Sequence, residues 1–244
     1  MFLNIYKKAL AVVMKKPLKL WGLSLLSIVL GGVLGVLCGV GIPILGLSVG
    51  VLLSTSMMMV FLRGYRGEEV GVLQLFECFK DLNTIKRVLL GMGWMALWIF
   101  LWGLIPIVGP IIALVRAYEY RLTPYILVFQ PEVSIADAIK VSSEKTRGYK
   151  LQMWLADFVY SLLYGVVCIV LGVLAKIPLI GLVFALAFFV LTVCYAVLAP
   201  LFAGLVQAAF YEEINTSVTR FCAGCGTKLN SGAAFCPVCG KPIQ

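Results

Sequence analysis

Four cysteines near the C-terminus, Cys222, Cys225, Cys236 and Cys239, are spaced C-x2-C-x10-C-x2-C. Two CxxC turns each offer two thiolates, and four thiolates around one ion make the tetrahedral arrangement of a structural zinc site. Gly226 and Gly240 follow the two pairs, at positions where a turn around a metal needs positive φ. The chain has no His, which leaves no Cys/His variant. Iron uses the same four ligands, but nothing else in the sequence points to electron transfer, so zinc is the favoured ion. With every coordination position filled by thiolate, none is open for catalysis. The 24 residues from Phe221 to Gln244 are too few to build a core unaided. The metal is therefore expected to supply most of this ribbon's folding free energy, on the order of 10 kcal/mol.

A second set of reactive groups lies in apolar surroundings. Arg116, Glu119 and Arg121 fall in the stretch RAYEYRLTPY (116–125), and Asp157 lies in the next apolar run. Each unpaired charge near the centre of a bilayer costs roughly 2.5–3.5 kcal/mol. Arg116 and Glu119 are i,i+3 neighbours that can pair along one helix. Arg121 and Asp157 enter from the same side to similar depths, so they pair if their helices touch. The cluster is either a latch between helices, its charges cancelling, or a polar pathway or headgroup site; the cancelling charges favour the latch. Pro124 is expected to kink the helix beside it. No phosphate-binding loop or nucleophile–base pair accompanies these residues, and no enzyme is expected.

The elements that carry both sets are set by composition. Sixty-two per cent of residues are hydrophobic, 13 % are charged, and the mean hydropathy is +1.04. A soluble domain keeps about a quarter of its residues charged, so the solvent implied here is lipid. Leu20 to Leu62 runs 43 residues without a charge. That is too long for a cleavable signal peptide and enough for about two crossings of roughly 20 residues each. Three pentapeptides, IPILG (42–46), IPIVG (105–109) and IPLIG (177–181), mark tight reversals, since proline cannot continue a helix and glycine accepts turn geometry. In register with them, EVGVLQLF (69–76) matches EVSIADAI (132–139), and Arg87 matches Lys150. One unit therefore recurs: an amphipathic surface segment, a span out, an IP turn and a span back.

The expected fold is all-α: a six-span membrane domain over residues 1–214, in three hairpins, followed by a zinc ribbon over 215–244. Spans are expected at 20–40, 43–62, 88–104, 110–129, 152–174 and 177–199, helical because backbone groups in hydrocarbon must pair internally. Of the 20 Lys and Arg, 17 fall on the side of the N-terminus, Lys176 falls on the other, and Arg116 and Arg121 lie inside a span. That asymmetry places both termini in the cytoplasm of a cell membrane, where disulfides between the tail cysteines are disfavoured. A single helix over Val88–Val115 also fits the hydropathy. It would give five spans and send the basic loop 131–150 and the tail outside.

The net charge of +9 lies at the edges of apolar runs, the pattern of loops facing anionic headgroups rather than of a nucleic-acid site. In the ribbon, Arg220, Lys228 and Lys241 with Phe221 and Phe235 are thin material for binding nucleic acid. The phenylalanines precede ligand cysteines, where packing on the knuckle accounts for them. The expected partners are membrane lipids and, through the ribbon, a cytosolic protein. Cys38, Cys78, Cys168 and Cys194 are scattered and read as small apolar fillers. Gly31, Gly35 and Gly39, with Gly46 and Gly50, have the spacing that lets helix backbones approach, most simply within the first hairpin.

A set of ordered segments points further: YEYRLTPYIL (118–127), Pro131, Ala138-Ile139 with Ser142, Gly148-Tyr149-Lys150, and AAFYEEI (208–214). On these, Phe76 to Ile214 resembles an uncharacterised family of bacterial integral membrane proteins, known as a domain of unknown function. It is distantly similar to the membrane domain of glycerophosphodiester phosphodiesterases. The chain departs from the family pattern at Phe129-Gln130, where an Asp- or Asn-containing turn is usual. The tail resembles the short zinc ribbons often fused to bacterial membrane proteins. The resemblance implies a membrane architecture and carries over no catalytic residue. The reading is an integral membrane adaptor or regulator; the alternative is a transporter or lipid handler using the intramembrane charges.

Overall fold

A computed structural model describes residues 2–15, 17–41, 43–177, 181–216, 220–221, 228–229 and 239. Nine α-helices and one 3-10 segment lie among these: α1 Phe2–Lys15, α2 Pro17–Gly41, α3 Pro43–Arg66, the 3-10 segment Val72–Phe79, α4 Leu82–Gly103, α5 Gly109–Glu119, α6 Thr123–Phe129, α7 Ile135–Lys145, α8 Lys150–Leu174 and α9 Gly181–Thr216. Five of them, α2, α3, α4, α8 and α9, are long and apolar enough to cross a membrane.

The repeat read from the sequence is visible in the order of elements. An amphipathic segment (α1, the 3-10 segment or α7) leads each time into a long helix (α2, α4 or α8), a reversal, and a return arm (α3, α5–α6 or α9). Val72 and Ile135, which open the second and third amphipathic segments, hold equivalent places in the aligned stretches. The IP turn has a physical basis at its glycine. The Gly109 N–H donates to the Ile105 carbonyl at 2.9 Å, and Gly181 donates to Ile177 at 2.8 Å, the same bond in both motifs. A Cβ on Gly109 would come within 2.8 Å of the Trp102 and Gly103 carbonyls, and one on Gly181 would collide with the Ala175 carbonyl. Only glycine lets the return arm start this close to the end of the outgoing helix.

Helix α4 ends at Gly103 and the chain reverses over 104–108, so a continuous helix over 88–115 is not formed. The expected fourth span, 110–129, is not one helix either. It is α5 and α6, broken at Tyr120–Leu122. Eleven residues of α5 rise about 16 Å, short of the ~30 Å of a hydrocarbon core. The broken arm nevertheless retraces α4: Leu127 packs on Gly91, where a Cβ would come within 2.6 Å of Leu127. Beside it the Arg87 guanidinium donates to the carbonyls of Leu127 (2.8 Å), Gln130 (2.9 Å) and Val133. Arg87 thereby serves one carbonyl of the last turn of α6 and two in the loop that follows it.

The packed core sits at one end of the molecule. It joins Ile5 and Ala9 of α1, Leu20 and Leu23 of α2, the second half of α3, Leu122–Leu127, Met153 and Ala156 of α8, and Leu201–Ile214 of α9. Helix α9 therefore continues well past residue 199, the expected end of the last span, and Ala208–Tyr211 and Ile214 of AAFYEEI join the core. Ion pairs close the same end: Lys8 with Glu213 (3.3 Å), Arg66 with Glu212 (2.9 Å), and Arg63 with Glu77 (2.5 Å). Away from this base the hairpins expose Leu, Val, Ile, Phe and Trp along α2, α4, α8 and α9, as a lipid-facing surface must. Of Gly31, Gly35 and Gly50, Gly31 meets the facing helix, with Leu53 at 3.8 Å, while Gly35 and Gly50 face open space; Gly39 lies outside the residues whose surroundings are described.

Candidate functional site

The break between α5 and α6 is where the polar chemistry gathers. A helix that stops leaves carbonyls and N–H groups unpaired, which apolar surroundings do not tolerate. Here distant side chains supply the partners. The Glu119 carbonyl accepts from the hydroxyls of Ser142 (2.7 Å) and Thr146 (3.2 Å), both on or just after α7. The Leu122 N–H donates to the Ser142 oxygen at 3.2 Å, and the Arg121 carbonyl accepts from the Gln207 amide of α9 at 3.0 Å. Ser142 thus bridges both sides of the break and is itself fully buried.

The Glu119 carboxylate, with its side chain only 8 % exposed, sits directly on this joint. It accepts from Arg116 at 2.5 Å and Ser143 at 3.3 Å on one oxygen, and from Lys150 at 2.5 Å on the other. Arg116 also stacks over the Trp102 ring, 5.0 Å from its centre. Two residues further along the chain, Arg121 grips Asp157 through two bonds of 2.5 and 3.2 Å, and the Tyr118 hydroxyl donates to the same carboxylate at 3.0 Å. The guanidinium of Arg121 lies 5.4 Å from the Tyr118 ring. From α1, the Tyr6 hydroxyl donates to the Ala156 carbonyl; burial first, then the nearby Asp157 charge, pushes that hydroxyl up to about 12.

The four residues of the expected cluster come together as two pairs: Arg116 with Glu119, and Arg121 with Asp157. Sequence reasoning missed Lys150, Ser142, Ser143, Thr146, Tyr118 and Gln207. One signal for Lys150 was present in the repeat, where it matches Arg87. Both are basic groups at the foot of an outgoing helix, and both reach across to the broken arm.

The thiolate set falls mostly outside the described residues: Cys222, Cys225 and Cys236 are not among them, and Cys239 is exposed. Two short strands are described, β1 (Arg220–Phe221) and β2 (Lys228–Leu229), antiparallel with Arg220 opposite Leu229 and Phe221 opposite Lys228. They flank the six residues, 222–227, that carry Cys222 and Cys225. Among the described residues no group of three or more His, Cys, Asp or Glu is placed to hold a metal. The fold and site thus define a helical protein of three hairpins with membrane-length helices and a stitched break in its fourth arm. No family model matches the chain, and no curated protein or solved structure does either.

Proposed function

We propose that this chain is a six-span membrane protein that presents a four-cysteine zinc ribbon to the cytoplasm as an adaptor or regulator for a cytosolic partner. The observation that carries this reading is the clamping of α1 and of the last turns of α9 at one base. Lys8 of α1 pairs with Glu213, Arg66 pairs with Glu212, and Lys145 donates to Asn215 at 3.0 Å, all at the base where the basic residues collect. Ends that share a side require an even number of crossings, so α5–α6 counts as a return arm despite its break. The basic side faces the cytoplasm, and the tail leaves α9 there. The donor chemistry fits zinc: two thiolates per turn, with paired strands holding the ends of the first turn together. Zinc so enclosed supplies folding rather than catalysis.

The rival reading, a transporter working through the charges of the fourth and fifth arms, has less support. Glu119 has three donors and Asp157 is held by Arg121 and Tyr118, which is the arrangement of a latch. The test is in-cell crosslinking with mass spectrometry on the intact protein and on Cys222→Ser/Cys225→Ser at equal membrane levels, with zinc measured on both. The adaptor reading expects zinc and one cytosolic protein to be lost together from the variant. Identical capture from both proteins, with zinc lost, would refute it.

A further inference from the structure

The three hairpins part from one another beyond the packed base. Along α2 no described residue after Ser24 is buried, α3 buries none before Leu52, and α9 buries none from Leu182 to Pro200. At the foot of the gap between the first and third hairpins lies a cleft of about 290 Å³. Ser24 and Ser27 line it from α2, Ser54 and Met58 from α3, and Gly204 and Gln207 from α9.

The serines set its chemistry. A helical serine commonly donates back to a carbonyl one turn earlier, as Ser54 does to Val51 at 2.9 Å. Ser24 is only 2 % exposed and Ser27 half-buried, and among the described residues no hydrogen bond is made by either hydroxyl. Spaced i,i+3, the two lie on one face of α2. Hydroxyls on the wall of a cleft that make no bond within the chain are open to a partner from outside it. No charged side chain lines the cleft, so a phosphate there would be buried without a counter-charge. Depth agrees: Ser24 lies five residues beyond Lys19, about 8 Å deeper along the helix. If Lys19 stands at the phosphate level, the serines stand at the level of glycerol and its esters.

We propose that this cleft binds a neutral glycerolipid of the diacylglycerol class. Its hydroxyl and ester oxygens meet Ser24 and Ser27, and its acyl chains run up the gap between α2, α3 and α9. The inference rests on residence in a bilayer, and the experiment separates the two. The full-length protein in nanodiscs is photolabelled with diacylglycerol or phosphatidylglycerol probes carrying the same reactive acyl chain. Either probe should mark the exposed face of α8; no mark there would overturn membrane residence itself. The diacylglycerol probe should in addition label residues 20–28 and 200–207, saturably and in competition with unlabelled diacylglycerol. Ser24→Ala/Ser27→Ala should lower that labelling by about tenfold, the worth of one to two lost hydrogen bonds, while α8 labelling stays unchanged. Ser24→Thr/Ser27→Thr, which keeps both hydroxyls, should restore it. Equal labelling of the cleft by the charged probe, or no loss in the alanine pair, overturns the proposal. So does a crosslink that seats a second copy of the chain there.

Discussion

The latch at Glu119 makes a quantitative demand. Its carboxylate neutralises two cations, Arg116 and Lys150, each at 2.5 Å, and anchors the end of α5 to α7 and α8. Glu119→Leu keeps the volume near constant and strands both positive charges. Removing one partner of a buried pair costs about 3–5 kcal/mol. Arg116 and Lys150 are 35 % and 34 % exposed, so part of their hydration remains and the lower end, about 3 kcal/mol, applies. Glu119→Gln keeps an acceptor for one donor and should cost about 1–2 kcal/mol. Adding Lys150→Met to the Glu119→Leu background removes one stranded charge and should recover about 1 kcal/mol, a coupling that only direct partners show. Reversible unfolding in mixed micelles, followed by tryptophan fluorescence, measures all three. If Glu119→Leu shifts stability by less than about 0.5 kcal/mol, the level of an ordinary surface change, while the protein's cellular role is lost, the latch is wrong and the carboxylate belongs to a pathway.

The stitched break should be similarly sensitive at a residue that carries no charge. Ser142→Ala orphans the Leu122 N–H and removes one donor from the Glu119 carbonyl; it should cost about 2 kcal/mol. Thr146→Val should cost less, because Ser142 still serves that carbonyl, and denaturant midpoints of the two variants compare them directly. On α7 the Ser134 hydroxyl, and then Lys140, hold the Asp137 carboxyl below the usual Asp range. A depressed carboxylate stabilises only while ionised. The first turn of α7 should therefore stay protected from amide exchange above the ordinary Asp value of about 3.9 and lose protection as pH falls through the lower folded value. Ser134→Ala should bring the loss to higher pH, and no change would place the cap elsewhere.

Much of this was written locally. The Arg116–Glu119 pair follows from a spacing of three, and Arg121–Asp157 from equal depth in adjacent arms. The IP turns announced the reversals because proline and glycine act on their own backbone. The break in the fourth arm was not legible, although Pro124 suggested a kink. Pro124 merely stands in the first turn of α6. What stops α5 is a set of hydroxyl and amide groups 20 to 86 residues away, which no local pattern encodes. The reach of α9 was hidden for a related reason. Its expected end at residue 199 stands just before Pro200, yet α9 runs through that proline, and Leu201–Ile214 stay helical under the cover of α1, α2, α3 and α8. The proposed ribbon has the opposite balance: its spacing is explicit in four cysteines, of which Cys222, Cys225 and Cys236 lie outside the described residues.

The distances in sequence between the latched charges also set a schedule for synthesis. Arg116 and Glu119 leave the ribosome together, but Lys150 follows Glu119 by 31 residues and Asp157 follows Arg121 by 36. At about 5–20 residues per second, those partners arrive roughly 2–7 seconds later. Through that interval Arg121 has no counter-ion and Glu119 lacks Lys150, with Ser143 joining Arg116 only 24 residues after Glu119; on the six-span reading the fourth arm cannot then settle at full depth. The second hairpin is thus provisional until the third is made. On the six-span reading, a chain stopped before Lys150 should carry two hairpins in sequence and only one, α2–α3, held firmly in the bilayer.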